Sequence, residues 1–372
     1  MSKSIDKASA SREFSSSMPP TPVESRSGSP VNTPSPSRLG TPDRYDFDDM
    51  GAPIRVGGRK SKLAVIQSRM IADKLRDVHP GLTFPVLALS TLGDNVQNRP
   101  LYSFGGKALW TKELEVLLLN KVPNYDQLDI IVHSLKDMPT TLPDGCALGA
   151  IPERHDPRDA LCMKQNTSWK TLEDLPAGSV IGTSSIRRQA QLRRLYPHLK
   201  FESVRGTVQT RLDKCDNPEQ PYQAVVLAAA GLDRLNLSHR ITSYLDGPHM
   251  YYAVGQGALG VEVRDGDQRI NALVSRIDHR PTHLRCRAER SLMHTLEGGC
   301  SVPIGVRTKY DSAKLTLEAM VISVDGTECV EGMVCSTVYS YEDADQVGRD
   351  LAEDLKAKGA KKILDAIQLD HI

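Results

Sequence analysis

Ile54-Arg55-Val56-Gly57-Gly58-Arg59-Lys60-Ser61 decides the fold. Ile54 to Val56 is a short extended run, and the glycines with Lys60 and Ser61 interrupt it. Leu63, Ile66, Met70 and Leu75 then recur at roughly helical spacing, and Phe84 to Leu89 returns to an extended pattern. That is a β-α-β unit. Working outward, the alternation repeats: helical Thr111 to Asn120, extended Leu128 to His133, extended Val180-Ile181, helical Ile186 to Tyr196 and extended Ala224 to Ala228. It predicts an α/β fold with mostly parallel sheets, whose ligands sit at the carboxyl ends of strands where helices begin. The C-terminal part reads differently. Leu315, Leu317, Ala319 and Val321 alternate with more polar neighbours, Asp325-Gly326 supplies a hairpin turn, and Val347, Leu351 and Leu355 form a helical stripe, which predicts a small α+β domain with an antiparallel sheet.

The chain has 372 residues, 39% of them hydrophobic, enough for two or three domains with real cores. Its 47 basic and 46 acidic residues nearly cancel, so no global field draws it to nucleic acid and anion binding must come from local clustering. No apolar run approaches the ~20 residues that span a bilayer, and no secretory signal opens the chain. Asp6, Glu13 and Glu24 interrupt the pattern of a mitochondrial presequence, so the expectation is a cytoplasmic protein. Residues 1–50, rich in Ser and Pro, are expected to form a disordered tail, and the Ser/Thr-Pro steps at Thr21, Ser29, Thr33, Ser35 and Thr41 read as low complexity before they read as phosphorylation sites. Seven cysteines without a Cys-x-x-Cys pair suggest neither a disulfide framework nor a structural metal.

Three segments carry the chemistry. Gly182-Thr183-Ser184-Ser185-Ile186-Arg187-Arg188 follows a strand and opens a helix, so hydroxyls and free backbone amides meet two guanidinium groups at a positive helix end. Arginine's fork suits carboxylate or phosphate, and Arg205 and Arg211 are candidates for the same crevice. His133-Ser134-Leu135-Lys136-Asp137 leaves an apolar strand, which places Lys136 and Asp137 at a crevice mouth. An aspartate there can act as a general acid or base, while a helix cap or surface ion pair remains open on position alone. His133 reads as a satisfied buried histidine. Glu297-Gly298-Gly299-Cys300 presents a thiol on a bendable loop, a nucleophile or attachment point if it is not simply a small core residue. Val254-Gly255-Gln256-Gly257 reads as a domain crossover or hinge rather than a phosphate loop.

Taken together, and in this order, these segments resemble the hydroxymethylbilane synthase (porphobilinogen deaminase) family. The motifs that carry the resemblance are Gly-Arg-Lys-Ser-Lys-Leu-Ala at 58–64, His-Ser-Leu-Lys-Asp at 133–137, Gly-Thr-Ser-Ser-Ile-Arg-Arg at 182–188, Ala-Ala-Ala-Gly-Leu at 228–232, Val-Gly-Gln-Gly-Ala-Leu-Gly at 254–260 and Glu-Gly-Gly-Cys-Ser-Val-Pro at 297–303. The match runs from about Ile54 to the C-terminus. It implies two α/β domains arranged like type II periplasmic binding proteins, the first of residues 51–155 and 255–278 and the second of 156–254, plus a small α+β domain of 279–372. It implies a dipyrromethane primer joined to Cys300 through a thioether, four further porphobilinogens added with loss of ammonia, and hydrolytic release of hydroxymethylbilane. Each pyrrole bears an acetate and a propionate, hence the need for many arginines.

By motif position the resemblance makes Asp137 the acid/base residue. It makes Lys136, Thr183, Ser184, Ser185, Arg187, Arg188, Arg205, Arg211 and Arg234 ligands of primer and chain, with Gln256 beside them. Arg59 and Ser61 become substrate ligands, and Lys107 lies on the segment the family places over the cleft. No metal, nucleic acid or membrane partner is implied, and the family analogy gives a monomer. Two positions depart from the family's pattern: Gly58 where a hydroxyl residue is usual, and Thr207 where Asn is usual. The alternative reading is a two-lobed carboxylate-binding or sensor protein, which requires neither Asp137 nor Cys300.

Overall fold

The computed structural model describes residues 52–89, 111–247, 250–296 and 302–369. The expected tail at 1–50, Lys107 and Cys300 lie outside the described residues.

The opening β-α-β unit forms, but its first strand runs through both glycines to Arg59 and starts at Val56, not at Ile54. Strand β1 (Val56–Arg59) pairs in parallel with β2 (Val86–Leu89), and helix α1 (Lys62–Val78) connects them. Ser61 caps that helix, its Oγ accepting from the amide of Ala64 at 3.3 Å. The helical period was legible but its buried line is rotated from the expected stripe: Gln67, Ser68, Ile71, Ala72 and Leu75 are buried, while Leu63, Ile66 and Met70 are half-buried. The cause is close approach at Gly58. A Cβ there would stand 2.2 Å from Ser68 Oγ, so the helix lies down on β1 where a side chain would hold it off. The half-buried side has its own neighbour, since Leu63 reaches within 3.9 Å of where a Cβ at Gly231 would stand.

Two five-stranded sheets follow. The first has the order β2-β1-β3-β10-β4, with β3 Ile130–Ser134, β4 Cys146–Ala150 and β10 Leu259–Arg264. The second has the order β7-β6-β8-β5-β9, with β5 Asp159–Met163, β6 Val180–Gly182, β7 Lys200–Glu202, β8 Tyr222–Ala228 and β9 Ser243–Leu245. The α/β expectation holds, and four of the five strands of each sheet run the same way, with one reversed. In the first sheet β10 is antiparallel to both β3 and β4; in the second β5 is antiparallel to both β8 and β9. These are the strands the chain enters directly after passing from one sheet to the other. A strand fed by such a crossing needs no helical crossover and is free to run against its neighbours.

The two crossings touch. His155 N donates to Gly257 O at 3.3 Å, and Gln256 Nε2 donates to Pro157 O at 2.6 Å. Gly257 has φ +84°, and a Cβ on it would meet His155 O at 2.5 Å, so only glycine fits where the strands pass.

The C-terminal part is the expected α+β unit. Strands β11 (Ile304–Asp311), β12 (Lys314–Ile322) and β13 (Cys329–Thr337) form an antiparallel meander. Leu315, Leu317, Ala319 and Val321 point to one face and bury against Leu284, Leu292, Val347 and Leu351 of the helices Arg280–Thr295 and Tyr341–Ala357.

This unit is tied to the crossings by a buried ion pair. Arg154 Nη1 and Nη2 donate to Glu289 at 2.6 and 3.0 Å, with both side chains at most 2% exposed. Glu289 also accepts from Gly255 N (2.8 Å) and Thr308 Oγ1 (2.6 Å). Burial raises the Glu289 carboxyl, and Arg154 with these hydrogen bonds outweighs it, so the group is held below its ordinary range. Glu289→Gln leaves Arg154 buried without its counter-charge and is expected to cost roughly 3–5 kcal/mol in chemical denaturation. A loss below about 1 kcal/mol, the range of an exposed pair, would show that the contact does not secure the junction.

Candidate active site

The predicted residues stand at the carboxyl ends of strands. β1 ends at Arg59, followed by Ser61. β3 ends at Ser134 and tightens into the single turn Leu135–Asp137, which leaves Asp137 exposed and Lys136 half-buried. β6 ends at Gly182, and Thr183-Ser184-Ser185 lead into helix Ile186–Leu195. The hydroxyls are engaged locally: Ser185 Oγ caps the helix by accepting from Arg188 N (3.4 Å), Ser184 Oγ donates to Val204 O (2.7 Å), and Thr183 Oγ1 accepts from Ser185 N (3.3 Å). Thr207, in place of the usual Asn, caps helix Val208–Asp216 by accepting from Thr210 N at 3.2 Å, a role either residue performs.

Arg187 and Arg188 turn inward and are only 5% and 6% exposed. Both bind Asp159, the first residue of β5, which no motif had singled out. Arg187 Nη1 donates to Asp159 Oδ2 (2.8 Å) and to Tyr251 O (2.6 Å). Arg188 donates from Nε and Nη2 to Asp159 Oδ1 (3.0 and 2.8 Å) and from Nη1 to Val226 O (2.9 Å). Against burial, the two guanidinium groups hold the Asp159 carboxyl far below the usual range. The one sequence signal for it was an acidic residue opening the otherwise apolar run Ala160 to Met163.

Other cations share this field. Burial pushes the Lys136 ammonium down to about 8; Arg188 and Arg187 push the same way, against Asp137 and Asp159. Burial pushes Arg211 down to about 10, with Arg188 and Arg205 adding to it and Asp137 opposing. Lys136, Asp137, Arg187, Arg188, Arg205 and Arg211 thus form one electrostatic cluster. Arg234 and Gln256 gather instead at the crossings: Arg234 Nη2 donates to Gly257 O (2.7 Å), and Gln256 Nε2 reaches Asp159 Oδ1 (2.8 Å), joining the two groups. His133 is buried on Glu262, its Nε2 2.8 Å from Oε2, as a satisfied core histidine should be.

Residues 54–272 match the family model described as "Porphobilinogen deaminase, dipyromethane cofactor binding domain", and residues 283–357 match the porphobilinogen deaminase C-terminal domain. The chain belongs to the porphobilinogen deaminase family. Similar curated members of the family include the porphobilinogen deaminases of Yarrowia lipolytica, 61% identical over 88% of this chain and 97% of that protein, and of Saccharomyces cerevisiae, 53% identical over 86% and 98%. Among solved structures, the effector-binding domain of BenM with benzoate is 15% identical, covering 60% of this chain and 91% of that one at a TM-score of 0.35. Among the described residues, no helix is long and apolar enough to cross a membrane.

The donor set fits the cofactor of this family. Like charges and burial press on Lys136 and Arg211, and Arg234 Nε is a buried donor with no hydrogen-bond partner among the described residues. A polycarboxylate answers both conditions.

Lys136 makes the field measurable. Its folded-state value of about 8 lies below its unfolded one. The unfolded chain therefore holds a proton that the folded chain has lost between about pH 8 and 10.5, and Lys136 makes stability rise with pH across that window, its full penalty standing below it. Comparing parent and Lys136→Met in the primer-free protein, the parent's relative stability is expected to climb from pH 8 to 10. A difference independent of pH would contradict the placement of Lys136.

Proposed function

We propose that this chain condenses four porphobilinogen molecules head to tail, with loss of ammonia, on a dipyrromethane held by Cys300, and releases hydroxymethylbilane by hydrolysis. The observation that carries the residue assignment is the gathering of buried Arg187 and Arg188 with half-buried Lys136 and Arg211 around one exposed carboxylate, Asp137. When bound, the primer would offer a free pyrrole carbon to the first unit, and each later unit would join the pyrrole added before it. Lys136, Arg187, Arg205, Arg211 and Arg234 bind its carboxylates and those of the growing chain. Arg188 adds charge, and Thr183, Ser184 and Ser185 fix the backbone that presents the arginines. Arg59 and Ser61, at the end of β1, receive the incoming substrate, and the family resemblance adds Lys107 to them. Asp137 balances positive charge that develops on pyrrole nitrogen and moves the proton that lets ammonia leave. The same reading divides the chain into 51–155 with 255–278, 156–254 and 279–372, with the strand-end residues on the first two bodies. It also takes the protein to be a cytoplasmic monomer.

Intact mass is the first test. Protein from porphobilinogen-making cells should be heavier than its chain by one dipyrromethane, and Cys300→Ser should lack both adduct and turnover. An unmodified parent that still turns over porphobilinogen would sink the attachment, and an unmodified, inactive parent that binds carboxylates would favour a binding module.

Asp137→Asn tests the chemistry separately. Losing a positioned acid/base group should lower kcat by roughly 10²–10⁴-fold while the chain folds and binds substrate. Turnover equal to the parent would refute the assignment.

A further inference from the structure

We infer that Asp159 is a positioning residue of the reaction: its carboxylate sets the net charge of the Arg187–Arg188 pair and locks the pair to the returning chain at Gln256. This rests on the function proposed above. Asp159 is 1% exposed and opens β5 between Ala228 of β8 and Leu245 of β9, so sheet register fixes its backbone. Oδ2 accepts from Arg187 Nη1, and Oδ1 accepts from Arg188 Nε and Nη2 and from Gln256 Nε2, each at 2.8–3.0 Å. One carboxylate therefore leaves two arginines with a single net positive charge.

The pair is also divided in its work. All three nitrogens of Arg188 already meet acceptors on Asp159 and Val226, so it contributes field and rigidity. Arg187 engages Nη1 alone, and its Nε and Nη2 meet no acceptor among the described residues, which leaves the edge of the fork that binds a carboxylate. Asp159 holds that edge in place from behind. Because Gln256 belongs to the second crossing and also binds Pro157 O of the first, the arginine edge is aimed only while both crossings are in register.

The electrostatic part has a readout that packing alone does not move. Lys136 is faced by Asp137, Arg188, Asp159 and Arg187. Neutralising Asp159 leaves Lys136 beside two uncompensated arginines, so it loses its proton at lower pH and carboxylate capture fails earlier. The experiment measures kcat/KM for porphobilinogen against pH, with intact mass for primer loading, on full-length parent, Asp159→Asn and the charge-balanced Asp159→Asn/Arg188→Gln. The alkaline limb of Asp159→Asn should move about one unit lower, roughly tenfold less activity on that limb, and the double variant should return it to the parent's position. A single variant with the parent's limb overturns the inference, as does a double variant displaced as far as the single. If Asp159→Asn does not fold, Arg188→Gln replaces it: a limb displaced to higher pH that adding Asp159→Asn brings back supports the inference, and a limb unmoved in Arg188→Gln overturns it. A parent with neither adduct nor turnover would instead refute the proposed function.

Discussion

Two arginine–carboxylate contacts buried at the crossings constrain everything else in this chain. Arg154–Glu289 joins the first crossing to the C-terminal helix Arg280–Thr295, and the Arg187–Asp159–Arg188 group joins the second sheet's first strand to the helix that follows its second. Removing charge from water is costly, and each contact recovers that cost only through bidentate geometry and further donors on the same oxygens. Glu289 has a backbone amide and a threonine hydroxyl in addition to Arg154; Asp159 has Gln256 in addition to its arginines. Such contacts tolerate few alternative arrangements, which suits segments that must pass one another at the distance of a hydrogen bond.

Gln256 makes the two contacts one network. Its carbonyl accepts from Arg154 Nε at 2.7 Å and its side chain donates to Asp159 at 2.8 Å, so one residue of the returning chain reads the position of both. The glycines beside it are then intelligible. Gly255 (φ +71°) and Gly257 (φ +84°) adopt the left-handed conformation that strains other residues, and a Cβ on Gly257 would also meet His155 O at 2.5 Å.

Much of this was legible in the sequence, for local reasons. The β-α-β alternation, the Asp325-Gly326 turn and the strand-end placement of Lys136, Asp137 and Arg187 all depend on neighbours a few residues away. Three features did not. The antiparallel β5 and β10 look like any apolar run, because strand direction is set by where the chain comes from rather than by composition. The rotation of helix α1 depends on Gly58 meeting Ser68, ten positions on and on another element. Asp159 and Glu289 became visible only once their arginines, 28 and 135 residues away, were seen beside them. Motif reading found Arg187 and Arg188, which are adjacent in sequence; it missed Arg154 and both counter-ions, which are scattered.

That asymmetry separates structural from functional charge in this protein. Arg154 is fully answered by Glu289, and burial there accompanies tight pairing. Lys136 and Arg211 are half-buried; that desolvation first, and the neighbouring arginines second, push both down against the carboxylates that face them. The second condition is unfavourable for the chain by itself and becomes favourable when carboxylates enter. Asp159 stands at the boundary between the two, answering Arg187 and Arg188 only in part. Full compensation would have made the arginine pair inert, and none would have made its burial prohibitive. One carboxylate for two guanidinium groups keeps the pair folded and still attractive to an anion.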